Sequence, residues 1–315
     1  MLWVNRDKID EIGDIIKKQI PSKPESFTNT DLYPSDKDDV EDVLRYFFVM
    51  VALDHRTSRP NIPYETKING KLYHGADLLY RLGKEMYSKN REFFSPEHLC
   101  DITEDEIKRW LNVYDARIPD PGVRAFLLRD LGWKLLRLFD GSLVKMIKLS
   151  NRRLFSSNYG FIEILKVFRA YEDPVEKKAF LLYKFLERRG LFVAVDREKL
   201  QVPVDNHLTR LAVRLGLIKF RNEIRCLFDD WSREATYEED IVIRFTVRRA
   251  YKLLSNAFGI DPMYLDDFLW SFGRTVCKPG KPLCWRCPLV DVCDAGQKTE
   301  LRMLKEHYYY STWYY

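Results

Sequence analysis

The stretch Cys277-Lys-Pro-Gly-Lys-Pro-Leu-Cys284-Trp-Arg-Cys287-Pro-Leu-Val-Asp-Val-Cys293 holds four of the chain's six cysteines, spaced C-x6-C-x2-C-x5-C. Thiolates are soft ligands that suit iron–sulfur clusters or zinc, and four in one short loop can enclose a cubane cluster. The same residues could instead form a four-thiolate zinc site or two disulfides. Disulfide frameworks suit small secreted chains. This chain has 315 residues and opens Met1-Leu-Trp-Val-Asn-Arg-Asp-Lys8, with no signal-peptide pattern.

Outward from the loop, composition narrows the class. Hydrophobic content of 46% and charged content of 31% suit a soluble globular protein with a sizeable core, divided into two lobes. No run of about 18 apolar residues occurs, so no membrane span is expected and the expected location is cytoplasmic. A net charge of +5 permits nucleic-acid binding without requiring it.

Hydrophobic spacing reads as helix almost throughout. Ile9, Ile12, Ile15, Ile16 and Ile20 share one side of a helix over residues 5–20, and a polar linker runs from Pro21 to Asp39. Val40 to Leu53 is a strongly apolar helix that ends in the charged turn Asp54-His55-Arg56-Thr57-Ser58-Arg59-Pro60. Tyr64 to Tyr73 reads as extended, and Thr103-Glu-Asp-Glu106 is a capping box. Further helices follow over 75–88, 123–139 and 161–171. The expected fold class is all-α.

Asp173-Pro174 opens a helix carrying Lys177 and Lys184, seven positions apart and so on one face. Pro203-Val204-Asp205 precedes a helix with Leu208, Leu211, Ala212 and Leu215 at i, i+3, i+4, i+7; Asp205 is its expected N-cap, with Gly216 near its end.

The cysteine loop, with Pro282 and Pro288, resembles the [4Fe–4S] loop of the endonuclease III and adenine-mismatch glycosylase branch of the helix-hairpin-helix DNA glycosylases. That resemblance implies a two-lobed fold with a [4Fe–4S] cluster on Cys277, Cys284, Cys287 and Cys293. Pro203-Val204-Asp205, Arg210-Leu211 and Gly216-Leu217-Ile218 look like the catalytic-aspartate helix of the archaeal 8-oxoguanine DNA glycosylase. The string Gly259-Ile260, Pro262, Leu265-Asp266, Leu269-Trp270, Gly273-Arg274 extends that likeness. It implies that Lys177 forms a Schiff base, that Lys184 contacts the base or lowers the Lys177 pKa, and that Asp266 and Trp270 contact a purine.

The glycine-rich hairpin with which typical members grip a phosphate is absent before Lys177. Phe168-Arg-Ala-Tyr-Glu172-Asp173-Pro-Val-Glu176 stands there, with no glycine and three carboxylates. A second resemblance lies in Gly70-Lys-Leu-Tyr-His-Gly75, Ile102-Thr103, Phe139-Asp-Gly-Ser142, Asp240-Ile-Val-Ile-Arg244 and the aromatic stretch from Tyr308 to Tyr315. These look like the queuosine-salvage N-glycosylase family, which cleaves a base from a free modified nucleotide and has an active-site aspartate at the position of Asp205.

Cleaving an N-glycosidic bond builds positive charge on the sugar, and a carboxylate beside it stabilises that charge. Asp205 is the candidate; its plain alternative is an N-cap worth about 1 kcal/mol. A neutral Lys177 amine could attack the anomeric carbon, or the lysine could lie on a solvated helix face. Lys184 has the same solvated alternative, and Trp270 a core-packing one. Lys278, Lys281 and Arg286 in the cysteine loop are candidate contacts to a DNA backbone.

The expected organisation is an N-terminal helix and linker at 1–39 packing with the C-terminal lobe, a helical barrel domain at 40–202, and a catalytic-aspartate and cluster domain at 203–315. The expected enzyme is a monomeric N-glycosylase removing a modified, oxidised-type purine from damaged duplex DNA, with AP lyase activity. The alternatives are a nucleotide N-glycosylase of the queuosine-salvage type and a non-catalytic nucleic-acid-binding protein.

Overall fold

Ten of the fourteen residues of the helix Val40–Leu53 are buried, eight of them consecutive from Tyr46 to Leu53. A helix apolar on every side belongs in the middle of a bundle, and this one organises the larger part of the chain. Its start is fixed by Asp39, whose carboxylate accepts from the backbone N–H of Glu41 and Asp42.

The computed structural model describes residues 2–59, 62–229 and 233–315. Pro60, the last residue of the expected charged turn, lies outside them. In order the elements are β1 (Leu2–Val4), α1 (Arg6–Gln19), α2 (Val40–Leu53), β2 (Glu65–Ile68), β3 (Lys71–His74) and α3 (Ala76–Lys89). Then come α4 (Pro96–Asp101), α5 (Glu104–Leu111), α6 (Pro121–Phe139), α7 (Leu143–Leu149), α8 (Phe161–Leu165) and α9 (Lys177–Arg188). The series ends with α10 (Asn206–Leu215), β4 (Ile218–Phe220), α11 (Cys226–Asp229), α12 (Tyr237–Phe258), α13 (Pro262–Thr275) and α14 (Asp294–Gln297). The fold is all-α apart from two antiparallel strand pairs, β1–β4 and β2–β3.

The chain divides into two compact units. One consists of Met1–Glu25 and Leu200–Thr312, the other of Ser26–Lys199 with Trp313–Tyr315. In the second unit α2 packs against α3, α6, α7 and α9. The polar stretch read as a linker contributes to this unit's core: Phe27 and Tyr33 are buried, and both rings meet Phe185 of α9. Phe47 of α2 stacks on Phe185 at 5.0 Å, and Phe48 stacks on Tyr171 at 5.3 Å. The extended segment is a hairpin, β2–β3, turned by Asn69 (φ 51) and Gly70 (φ 82). Both turn residues are left-handed, as the tight primed turn of a hairpin requires. The expected capping box is present, with Thr103 and Glu106 bonding reciprocally at the start of α5.

In the first unit, α1 packs on α12, and α10 packs on α12 and α13. Ile9, Ile12 and Ile16 of α1 join Leu208, Leu211, Ala212 and Leu215 of α10 in one core. Gly13 is held small by contact, because a Cβ there would lie about 2.0 Å from the ring of Phe258.

Candidate active site

Helix α10 starts where the sequence placed it. Asp205 is its N-cap, and its Oδ1 accepts from the Leu208 N–H at 3.0 Å. Oδ2 accepts no hydrogen bond among the described residues, so capping leaves one carboxylate oxygen available. The first turn also carries His207, whose Nδ1 lies 3.1 Å from Arg210 Nη2. Burial lowers the His207 pKa; the Arg210 cation lowers it further, while Asp205 raises it.

The same helix grips the cysteine loop. The buried Arg210 guanidinium donates to the carbonyls of Gly273 (2.8 Å) and Cys277 (3.2 Å) and pairs with Glu306 at 2.8 Å. One turn on, Arg214 donates to Leu304 O and Lys278 O, both at 2.7 Å, and its Nη1 lies 3.4 Å from Cys277 Sγ. Long-range carbonyl partners of this kind fix α10 against the loop.

All four cysteines, with Arg214 and apolar side chains, line one cavity. Burial pushes the Cys287 thiol up to about 11 and the Cys293 thiol up to about 12. Thiolates there need compensating positive charge, which bound metal would supply. Arg214 Nη2 is buried without a partner among the described residues, so the cavity wall holds an unused N–H donor beside the thiols. No group of three or more His, Cys, Asp or Glu side chains among the described residues is placed to hold a metal ion. By their chemistry alone, four thiols and an unused guanidinium N–H on one cavity would suit a sulfur-ligated cluster.

Asp266 and Trp270 lie on α13. Asp266 is buried, and Trp270 is partly buried against the core with the Arg274 guanidinium 4.2 Å from its ring centroid. Lys278, Lys281 and Arg286 are exposed, as is Trp285.

In the other unit, the two candidate lysines are buried rather than solvated. Lys177 Nζ donates to the Asp54 carbonyl at 3.0 Å and lies 3.9 Å from the Asp54 carboxylate. Lys184 Nζ sits 5.7 Å from the centroid of the Phe27 ring. Sequence reading gave their neighbour no structural role. Lys178 is fully buried, donating to Ala52 O at 2.5 Å and lying 3.2 Å from His55 Nδ1. A signal was present: position 178 shares its helix face with Leu182 and Phe185, so the apolar period assigns it to the interior.

Lys177, Lys178 and Arg124 serve one end of α2. Arg124 donates to Pro119 O, His55 O and Arg56 O at 2.9 Å each, and also to Leu53 O. The last carbonyls of a helix lack internal partners and form its negative end, so cations satisfy both needs. Burial holds Arg124 at about 10, and burial with the Lys177 and Arg124 charges holds Lys178 well below its ordinary value. His55 is likewise well below 6.5, through burial and then the cations Arg124, Lys178, Lys177 and Arg56.

This shift has a measurable consequence. Below pH 6.5 the unfolded chain protonates His55 while the native chain does not, so stability falls as pH falls. Between pH 7.5 and 5.0 the wild type should lose about 2 kcal/mol more than His55→Gln does. Urea unfolding of both proteins at the two pH values checks this.

The loop before α9 differs from expectation. Its helix begins at Lys177, because Glu176 is left-handed (φ 63). Asp173 Oδ1 accepts from the Val175 N–H and Oδ2 from the Lys177 N–H, each at 2.9 Å. Glu172 pairs with Arg169 at 2.9 Å and Glu176 with Lys166 at 2.5 Å. Two backbone donors that could otherwise help cradle a phosphate here, Val175 N–H and Lys177 N–H, are thus taken by the chain's own carboxylate. Lys177 and Lys184 belong to one unit; Asp205, Asp266, Trp270 and the four cysteines belong to the other.

A family model described as queuosine salvage protein matches residues 32–194. That span contains Lys177, Lys184, His55 and the Asp173 loop, and ends before Asp205. No curated protein matches the chain. Among solved structures, a trapped endonuclease III–DNA covalent intermediate with an estranged adenine is similar at 16% identity, covering 94% of this chain and 99% of that one with a TM-score of 0.51. A non-covalent endonuclease III–DNA complex is similar at 15% identity, covering 94% and 98%, also with a TM-score of 0.51. At this identity the likeness concerns the fold, which is of the helix-hairpin-helix glycosylase type.

Proposed function

Because the chain belongs to the queuosine salvage protein family, we propose that it is an N-glycosylase that hydrolyses the glycosidic bond of a free, modified nucleotide of the queuosine type. The Asp173 carboxylate carries this reading. It occupies the Val175 and Lys177 backbone N–H groups, where a DNA-gripping hairpin would leave donors free for phosphate. A single nucleotide does not need that grip.

In this reading Asp205 is the catalytic carboxylate. Its Oδ2 stabilises positive charge as it develops on the sugar and orients the attacking water, while Oδ1 stays bonded to Leu208. Water adds at the anomeric carbon, the base departs with the bonding electrons, and a proton from the water replaces the sugar on it. Asp266 and Trp270 are proposed to contact the base. Cys277, Cys284, Cys287 and Cys293 are proposed to hold a [4Fe–4S] cluster, with Arg214 Nη1 already beside Cys277 Sγ. When bound, that cluster would organise the segment that α10 grips, and Asp205 caps α10.

Lys177 is proposed to hold the end of α2 rather than to attack the sugar, since its Nζ is engaged with Asp54. Borohydride reduction in the presence of abasic duplex DNA should therefore trap no covalent adduct. Excess damaged duplex should also leave nucleotide turnover unchanged. An adduct that disappears in Lys177→Gln would support the other reading.

That other reading is removal of a modified purine from DNA with lyase activity. The exposed Lys278, Lys281 and Arg286 beside the exposed Trp285 favour it, as a surface that could contact a phosphate backbone.

A further inference from the structure

Helix α12 has two faces with different jobs. Ile243, Val247, Ala250, Tyr251 and Leu254 are buried in the core. Phe245, Arg248, Arg249 and Lys252 recur at i, i+3, i+4 and i+7, which gathers one aromatic and three cations along a single stripe. Beside the stripe the N-terminal strand β1 presents Trp3, and α1 opens with the exposed Arg6. These six residues line one open groove, and among the described residues no carboxylate lines it. Trp3 is 45% exposed and Phe245 is 39% exposed.

The side chains are arranged for more than charge. The Arg248 guanidinium lies 4.7 Å from the centroid of the Phe245 ring, and Lys252 Nζ is anchored on Leu200 O at 2.9 Å. Large aromatics do not stay exposed beside four cations for the sake of the core, because α12 already buries its opposite face.

We infer that this groove binds single-stranded nucleic acid, with Arg6, Arg248, Arg249 and Lys252 following the phosphates and Trp3 and Phe245 stacking on bases. A single strand alternates anionic phosphates with flat unsaturated rings, and it meets both features at once. A duplex hides its base faces, and a free phosphate uses only the cations. The inference stands apart from the glycosylase reading, since none of these residues takes part in that chemistry.

The test is fluorescence anisotropy of labelled twelve-residue oligo(dT) and oligo(U) titrated with the full-length protein across a salt series. Four engaged phosphates give a slope of about −3 for log affinity against log salt, at about 0.7 per phosphate on a single strand. Arg248→Glu with Arg249→Glu should reduce low-salt affinity at least about tenfold and bring the slope to about −1.5 or shallower. Trp3→Ala should weaken binding about tenfold with the slope unchanged, the signature of lost stacking. Both variants should release base from nucleotide at the wild-type rate, which separates this site from the catalytic one. Unequal affinity for the two oligomers assigns the preference to RNA or DNA. Wild-type binding by the double charge reversal would overturn the inference, as would no binding at low salt. Displacement by anionic lipid vesicles, with Trp3→Ala binding like wild type, would overturn it in favour of a membrane surface.

Discussion

Asp205→Asn should lower base release about a thousandfold while the protein stays folded. The carboxylate acts on positive charge that exists only as the glycosidic bond breaks. A unit charge about 4 Å away at an effective dielectric of about 20 is worth roughly 4 kcal/mol. Each 1.36 kcal/mol is about tenfold in rate, so kcat should fall by about three orders of magnitude with KM little changed. Asparagine caps helices about as well as aspartate, so the bond to Leu208 N–H survives and stability should move by less than about 0.5 kcal/mol. Asp205→Ala would confuse the result, because the lost cap costs about 1 kcal/mol by itself. Steady-state kinetics beside a thermal melt separates the two effects. A folded Asp205→Asn protein with full activity would remove Asp205 from the chemistry.

The second large effect is on the cysteine loop. Wild-type protein should be brown, with broad absorbance near about 400 nm, as a [4Fe–4S] centre of this kind gives. Cys284→Ser should be colourless and less stable. Its loop would lose the charge compensation that lets the partly buried Cys287 and the buried Cys293 thiols ionise, and metal binding is part of the folding free energy of such a segment. Each kilocalorie lowers the melting temperature of a domain this size by about 2–4 °C, so a loss of about 3 kcal/mol appears as a drop of roughly 6–12 °C. Arg210 and Arg214 tie Cys277 and Lys278 to α10, so the damage should extend to the helix that Asp205 caps. Iron and sulfide analysis beside the melt checks both halves. A colourless wild type carrying one zinc per chain would replace the cluster with a zinc site.

Local patterns were legible in the sequence because they need only neighbours. The apolar run of α2, the Thr103 capping box and Asp205 as an N-cap all depend on residues within one turn. Long-range partners were not legible. The Lys177, Lys178 and Arg124 side chains are decided by carbonyls of residues 52–56, far away in the chain, and periodicity says nothing about which carbonyls a buried cation meets. Strand β1 went unread because three residues have no detectable period, and its partner β4 lies more than two hundred residues away. The three carboxylates before α9 were legible as an oddity. Their purpose was not, since it depends on Asp173 turning back onto the backbone of its own loop.

The most direct measurement compares kcat/KM for release of the same modified base from a free 5′-nucleotide and from a duplex containing that nucleotide. The account predicts efficient release from the nucleotide, abolished by Asp205→Asn, with release from the duplex slower by at least about two orders of magnitude. Faster release from the duplex, with a steep dependence on salt, would contradict it.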